Sequence, residues 1–183
     1  MNKTQIKILN AAFEVLAQDF SAPLDRIAET AGVTRMTLHR YFNSRDALLE
    51  ATGLEMIGLS NGIIDEAIAR HADPCQQLQE IIMQAAQMGE RFHFLMHASE
   101  EMDYEVIGPS IEALDDRMTE IFEALRGEGL ISNDFPTPWL LHLYGGIMTA
   151  AWSSTRDGAV APRDIPMLAW QSFAQGVFVE GSQ

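Results

Sequence analysis

LDRIAETAGVTRMTLHRYFN, residues 24–43, decides the fold, because it reads as two short helices crossing at a tight turn. Its apolar residues fall at Leu24, Ile27, Ala28, Val33, Leu38, Tyr41 and Phe42, which gives each short helix one face to bury. Ala28 is small where a second helix must cross closely, and Gly32 suits a left-handed turn position that glycine adopts without steric penalty. Val33 and Leu38 would lock the later helix against the earlier one, the arrangement a helix-turn-helix requires. Held that way, the later helix projects Thr34, Arg35, Thr37, Arg40 and Tyr41. These carry hydroxyls and guanidinium groups of the kind that reach phosphates and base edges in a DNA major groove. A helical hairpin with an incidentally polar surface shows the same Ala-Gly-Val-Leu pattern, so the pattern alone leaves both readings open.

On either side of this segment helical spacing recurs and period-two alternation is nowhere sustained, which predicts an all-α chain of about nine helices. A first helix is expected from Thr4 to Asp19, with Ile8, Ala11, Ala12, Val15 and Leu16 on one face. Pro23 fits the first turn of the second helix, Thr34 caps the third, and Ser44 caps a long fourth helix towards Ala72. Asp73-Pro74 opens a fifth helix, or two bent near Gly89, reaching about Ser99. Glu100 to Pro109 reads as an acidic irregular stretch with Gly108-Pro109 as a breaker. Further helices are expected over Ser110–Glu128, Pro138–Arg156 and Asp164–Val179. The predicted organisation is a three-helix helix-turn-helix domain over residues 1–48 and a larger helical domain over residues 49–183.

Composition narrows the function. Of 183 residues 47% are hydrophobic, ample for a buried core. The longest apolar stretch, Trp139–Trp152, is 14 residues interrupted by His142 and two glycines, too short to span a bilayer. Nothing reads as a signal peptide, and a single cysteine excludes an intramolecular disulfide; both fit a cytoplasmic protein. The net charge of −14 argues against a nucleic-acid binder until its distribution is considered. Residues 1–48 carry six basic groups against five acidic ones, whereas the remainder carries 6 against 21. The acidic bulk is repelled by phosphate, so docking through the N-terminal end is favoured. No nucleophile elbow, phosphate loop, paired zinc motif or cofactor fingerprint is present, so neither an enzyme nor a bound cofactor is expected.

The run IAETAGVTRMTLHRYFNSRDALLEA, preceded by the amphipathic ILNAAFEVLAQDF, strongly resembles the DNA-binding domain of the TetR family. Val33, Thr34, Arg35, Thr37, Leu38, Tyr41, Phe42, Ser44 and Arg45 match that family's phrase position by position. The resemblance implies that Arg35 and Thr37 read bases or adjacent phosphates, that Tyr41 touches backbone, and that Arg45 binds phosphate at the start of helix four. His39 stands where the family usually has tyrosine; it can still donate a hydrogen bond, over a shorter reach. Arg40 suits a phosphate contact and a solvated charge equally. Pro23 replaces the usual capping Ser or Thr of helix two, and Ser21 is the substitute cap. Arg35 is the expected specific reader. The partner is then double-stranded DNA, as a palindromic operator read by a homodimer.

The final two helices are more apolar than one solvated face allows. Trp139, Leu143, Ile147 and Trp152 on one and Phe173 and Val177 on the other are expected to build the dimer interface, with a large monomer core as the alternative. Between the two ends lies a segment rich in Met and aromatic residues. Any one of these has core as its ordinary reading; the resemblance implies an effector pocket, with Met83, Met88, Phe92, Met96, His97, Met118 and Phe122 as its lining. His93, His97 and Glu101, spaced four apart, have the spacing of metal ligands, but no metal is expected: they line the pocket or face solvent. Cys75, beside a helix start, is either a structural thiol or a thiol of lowered pKa. The expected function is a ligand-responsive, sequence-specific DNA-binding transcription regulator, read as a repressor, released from its operator by a small-molecule effector. The alternative is a dimeric DNA-binding regulator with a closed C-terminal core, controlled by a protein partner or by no ligand.

Overall fold

Asn2 is exposed at the start of the chain and supplies what a free helix end lacks. Its Oδ1 accepts from the backbone N–H groups of Thr4 (3.1 Å) and Gln5 (2.9 Å), while the Gln5 side chain accepts from the Asn2 N–H. This reciprocal cap, typically worth about 1 kcal/mol, opens α1 (Lys3–Gln18). The computed structural model describes residues 2–88 and 104–179. Two compact units divide them: residues 2–58 with 104–110, and residues 59–88 with 111–179.

In the first unit, α1 packs on α2 (Leu24–Thr30), and α2 on α3 (Arg35–Tyr41). Ile8, Leu9, Ala12, Phe13 and Leu16 of α1 are buried, together with Ile27, Ala28, Leu38, Phe42 and Leu48. Ala28 is buried, as its small size at the crossing predicts. Gly32 has φ +65°, and the turn closes through Gly32 N–H to Glu29 O and Val33 N–H to Ala28 O, both 3.0 Å. A Cβ at Gly32 would meet nothing within 4 Å. Gly32→Ala is therefore expected to lose about 1–2 kcal/mol from backbone conformation alone, read as a lower urea midpoint at unchanged slope.

The helix α4 (Arg45–Arg70) begins in the first unit and ends in the second. Ser44 Oγ accepts from Ala47 N–H at 3.0 Å, the expected cap. Asp73 does the same for Cys75 N–H at 2.9 Å, opening α5 (Pro74–Gln87) with proline at the first helical position. The later helices are α6 (Tyr104–Gly127), α7 (Thr137–Arg156) and α8 (Ile165–Val177). Eight helices thus stand among the described residues, with one isolated bridge between Ile131 and Phe178 as their sole β pairing. In the second unit α5, α7 and α8 pack on one another, and Phe122 of α6 stacks on Phe173 of α8 with ring centroids 5.8 Å apart.

Two local expectations need correction. Gly108-Pro109 does not break the chain: Pro109 lies inside α6. Proline removes only the bond its N–H would give to Glu105 O, near an exposed helix start that water can satisfy, while Ile107 is buried and anchors the turn. Ser21 does not cap α2, which has no side-chain cap. Instead Ser21 donates from N–H (3.1 Å) and Oγ (2.7 Å) to Asp19, and those bonds hold the Asp19 carboxyl below its ordinary pKa.

Candidate nucleic-acid interface

Among the first three helices, α3 presents a polar surface. Thr34 is the N-cap, its Oγ1 accepting from Thr37 N–H at 3.1 Å and lying 2.9 Å from the Thr37 hydroxyl. That cap fixes where α3 starts, and so fixes the direction of Arg35, its first residue. Leu38 is fully buried, whereas Thr34, Arg35, His39 and Arg40 are exposed and Thr37 and Tyr41 half-buried. One side of the helix is thus anchored, and the other presents groups able to hydrogen-bond base edges and phosphates.

Several side chains hold this surface in order. Arg35 Nη1 donates to Asp25 Oδ2 at 2.9 Å, joining α3 to α2. The Arg40 guanidinium lies 5.1 Å from the Tyr41 ring centroid, and Asn2 donates to Tyr41 Oη at 3.3 Å, joining α1 to the end of α3. Hydrogen bonds from Asn2 first and Arg40 second hold the Tyr41 phenol below its ordinary pKa. Sequence reasoning missed Asp25, Asn2 and Met36. Met36 is 81% exposed on α3, an apolar side chain suited to contact with a thymine methyl group. The sequence does carry that signal, since Met36 stands two residues before buried Leu38 and so falls on the far side of α3.

Arg45, expected to bind phosphate, also has partners within the chain. Its Nη1 donates to Ala22 O at 2.6 Å and its Nη2 to Phe20 O, with the guanidinium 5.7 Å from the Phe20 ring centroid. These bonds tie the start of α4 to the α1–α2 corner and use two of the guanidinium's five N–H donors. Arg45→Ala should therefore cost about 1.5–3 kcal/mol of stability, the range for hydrogen bonds to a charged group, by stranding two carbonyls. Thermal melting of the variant measures this.

Residues 8–52 match the family model described as bacterial regulatory proteins, tetR family. A curated relative, the HTH-type transcriptional repressor LfrR of Mycolicibacterium smegmatis, is 26% identical over 156 residues, covering 85% of this chain and 81% of that protein. The crystal structure of the TetR-like regulator LfrR from Mycobacterium smegmatis in complex with proflavine superposes with TM-score 0.76 at 25% identity. It covers 97% of this chain and 99% of that one. The HTH-type transcriptional regulator NfxB of Pseudomonas aeruginosa is 35% identical over 75 residues, covering 41% of this chain and 40% of NfxB.

Residues 8–52 thus carry a tetR-family domain, and over most of its length the chain is similar to TetR-like regulators. Like the regulators it resembles, it is a DNA-binding transcription regulator with an N-terminal helix-turn-helix and a helical C-terminal domain. Among the described residues no helix is long and apolar enough to cross a membrane.

In the second unit, the residues expected at a dimer interface divide into two groups. Trp152, Phe173 and Val177 are buried at 3%, 0% and 1% exposure within the single chain, so they have no surface left to give a second copy. Trp139 is 56% exposed, and Leu143 and Ile147 are half-buried. Met167 and Leu168 add exposed apolar surface on α8. Between α7 and α8 lies a groove of about 260 Å³ lined by Ile147, Ala150, Ser154, Ile165, Leu168 and others.

Of the expected pocket residues, Met118 and Phe122 are buried on α6, and Met83 and Met88 are half-buried at α5. Phe92, Met96 and His97 lie outside the described residues, as do His93 and Glu101. Burial, then the Asp73 and Glu128 charges, push the Cys75 thiol up rather than down, so a structural thiol is the supported reading.

Proposed function

We propose that the chain is a ligand-responsive repressor that binds a palindromic operator as a homodimer and is released by a small-molecule effector. Residues 1–48 would read DNA, and residues 49–183 would dimerise and hold the effector. The observation that carries the DNA-reading half is the α3 surface, where Leu38 is sealed in the core while Arg35, Met36, His39 and Arg40 stand exposed. Contact of Thr34, Thr37 and Tyr41 with bases or backbone completes the reading surface. Dimerisation is supported by Trp139, Met167 and Leu168, large apolar side chains exposed on the last two helices.

Effector control is supported by the relative LfrR, whose crystal structure holds proflavine, a planar aromatic cation. Residues 49–183 carry 21 acidic groups against six basic ones, a balance that favours a cationic effector. The helix α4 offers a route for the response. Arg117 of α6 donates to Asn61 Oδ1 at 2.6 Å and to Asp65 Oδ1 at 2.5 Å, and Glu80 of α5 pairs with Arg70 and with His71. An effector that binds one arrangement of these contacts more tightly shifts the population of α4 positions.

Selection of bound sequences from random duplex DNA, repeated with planar cationic compounds present, tests the whole reading. A roughly palindromic site is expected, with affinity that falls steeply as salt rises. An effector at a hundred times its Kd should stabilise the protein by about 2.7 kcal/mol. Failure to enrich any sequence sinks the DNA-reading half. Enrichment unaltered by every compound, with no thermal stabilisation, sinks effector control and leaves the DNA reader standing.

A further inference from the structure

Asp25 is an unexpected neighbour for a DNA-reading arginine, because a carboxylate beside the groove is repelled by phosphate. It is exposed on α2, and its Oδ2 accepts from Arg35 Nη1 at 2.9 Å. The neighbouring cation does not neutralise it: Arg26 faces backwards to Asp19, with Nη1 3.5 Å from Asp19 Oδ2. Both members of the Asp25–Arg35 pair are well over half exposed, so the pair adds little to stability. Its effect lies in where it holds the guanidinium.

We propose that Asp25 is a positioning residue for sequence discrimination: it holds Arg35 in one orientation and reserves it for a base edge rather than a phosphate. The inference rests on Arg35 being the base reader. A guanidinium carries five N–H donors in a rigid fork, and the contact with Asp25 occupies one. Enough remain for the bidentate contact to the O6 and N7 acceptors of guanine. The anchored side chain has less rotamer freedom to lose on binding, which strengthens the correct contact. The Asp25 carboxylate also offsets the arginine charge, which weakens attraction to phosphate at sites without the right base. Both effects raise the ratio of specific to non-specific affinity.

The test uses the full-length protein, a duplex selected from random DNA by that protein, and single-base-pair variants of the duplex. Wild type, Asp25→Ala, Asp25→Asn and Arg35→Ala are titrated at two salt concentrations, and thermal melting confirms that each is folded. Arg35→Ala identifies the base pair that Arg35 reads, as the position where discrimination disappears. Asp25→Ala is expected to lower discrimination at that base pair by roughly threefold to tenfold, the effect of freeing one ordered side chain. Affinity for unrelated duplex should meanwhile hold or rise. Asp25→Asn keeps an acceptor oxygen and should retain part of the discrimination. A merely structural role for Asp25 would weaken binding equally at all positions and would overturn the proposal. Unchanged discrimination in Asp25→Ala, with Arg35→Ala still selective-null at one base pair, also overturns it while leaving Arg35 as the reader. No salt-sensitive duplex binding by wild type overturns both.

Discussion

Arg35→Ala is expected to weaken operator binding strongly while leaving the protein folded. A bidentate arginine–guanine contact discriminates by about 1–3 kcal/mol, so a dimer that makes it twice stands to lose about 2–6 kcal/mol, roughly thirtyfold or more in affinity. The fold should be indifferent, because the Arg35 side chain is 67% exposed and its one ion pair, with Asp25, is a surface pair. Fluorescence anisotropy at fixed salt measures the affinity, and thermal melting checks the fold. Arg35→Lys sharpens the result: it keeps the charge but loses the planar fork, so binding to unrelated DNA should survive while discrimination falls. If Arg35→Ala binds its operator with wild-type affinity, base reading belongs to another residue of α3.

Phe173→Ala is expected to have the largest effect on stability, about 3–5 kcal/mol. The Phe173 ring is fully buried and stacked on Phe122, with an interplanar angle of 11°, so truncation removes buried apolar area and an aromatic pair together. Domains of this kind have total stabilities of about 5–15 kcal/mol, so a loss of that size takes a large share. The three tryptophans, Trp139, Trp152 and Trp170, all belong to the second unit, and their fluorescence during urea unfolding reports that unit. Phe173→Leu keeps much of the volume and should recover a large part of the loss. A urea midpoint for Phe173→Ala equal to that of wild type would mean that α8 does not hold the second unit together.

The helix-turn-helix was legible because its signals are local. Gly32 takes the left-handed turn, Thr34 and Asp73 cap their helices, and Leu38 faces inward as its spacing from Ile27, Ala28 and Phe42 requires. What escaped the sequence depends on contacts between residues far apart in the chain. Arg45 turns inward to carbonyls more than twenty residues earlier, and Asp25 meets Arg35 across the turn. Nothing in the spacing of either arginine distinguishes a donor aimed at protein from one aimed at DNA.

The apolar faces of α7 and α8 show the same limit in another form. Helical periodicity says that a face is covered but not by what. Trp152, Phe173 and Val177 are covered by their own chain, whereas Trp139 remains open. Pro109 illustrates the opposite failure, in which a strong local breaker yields to the burial of Ile107 beside it.

The bonds from Arg45 to the carbonyls of Phe20 and Ala22 weld the foot of a 26-residue helix to the corner it stands on. Removing them would leave a loose joint between the α1–α2 corner and the first turn of α4. Within the first unit the start of that helix and the α1–α2 corner thus move as one piece.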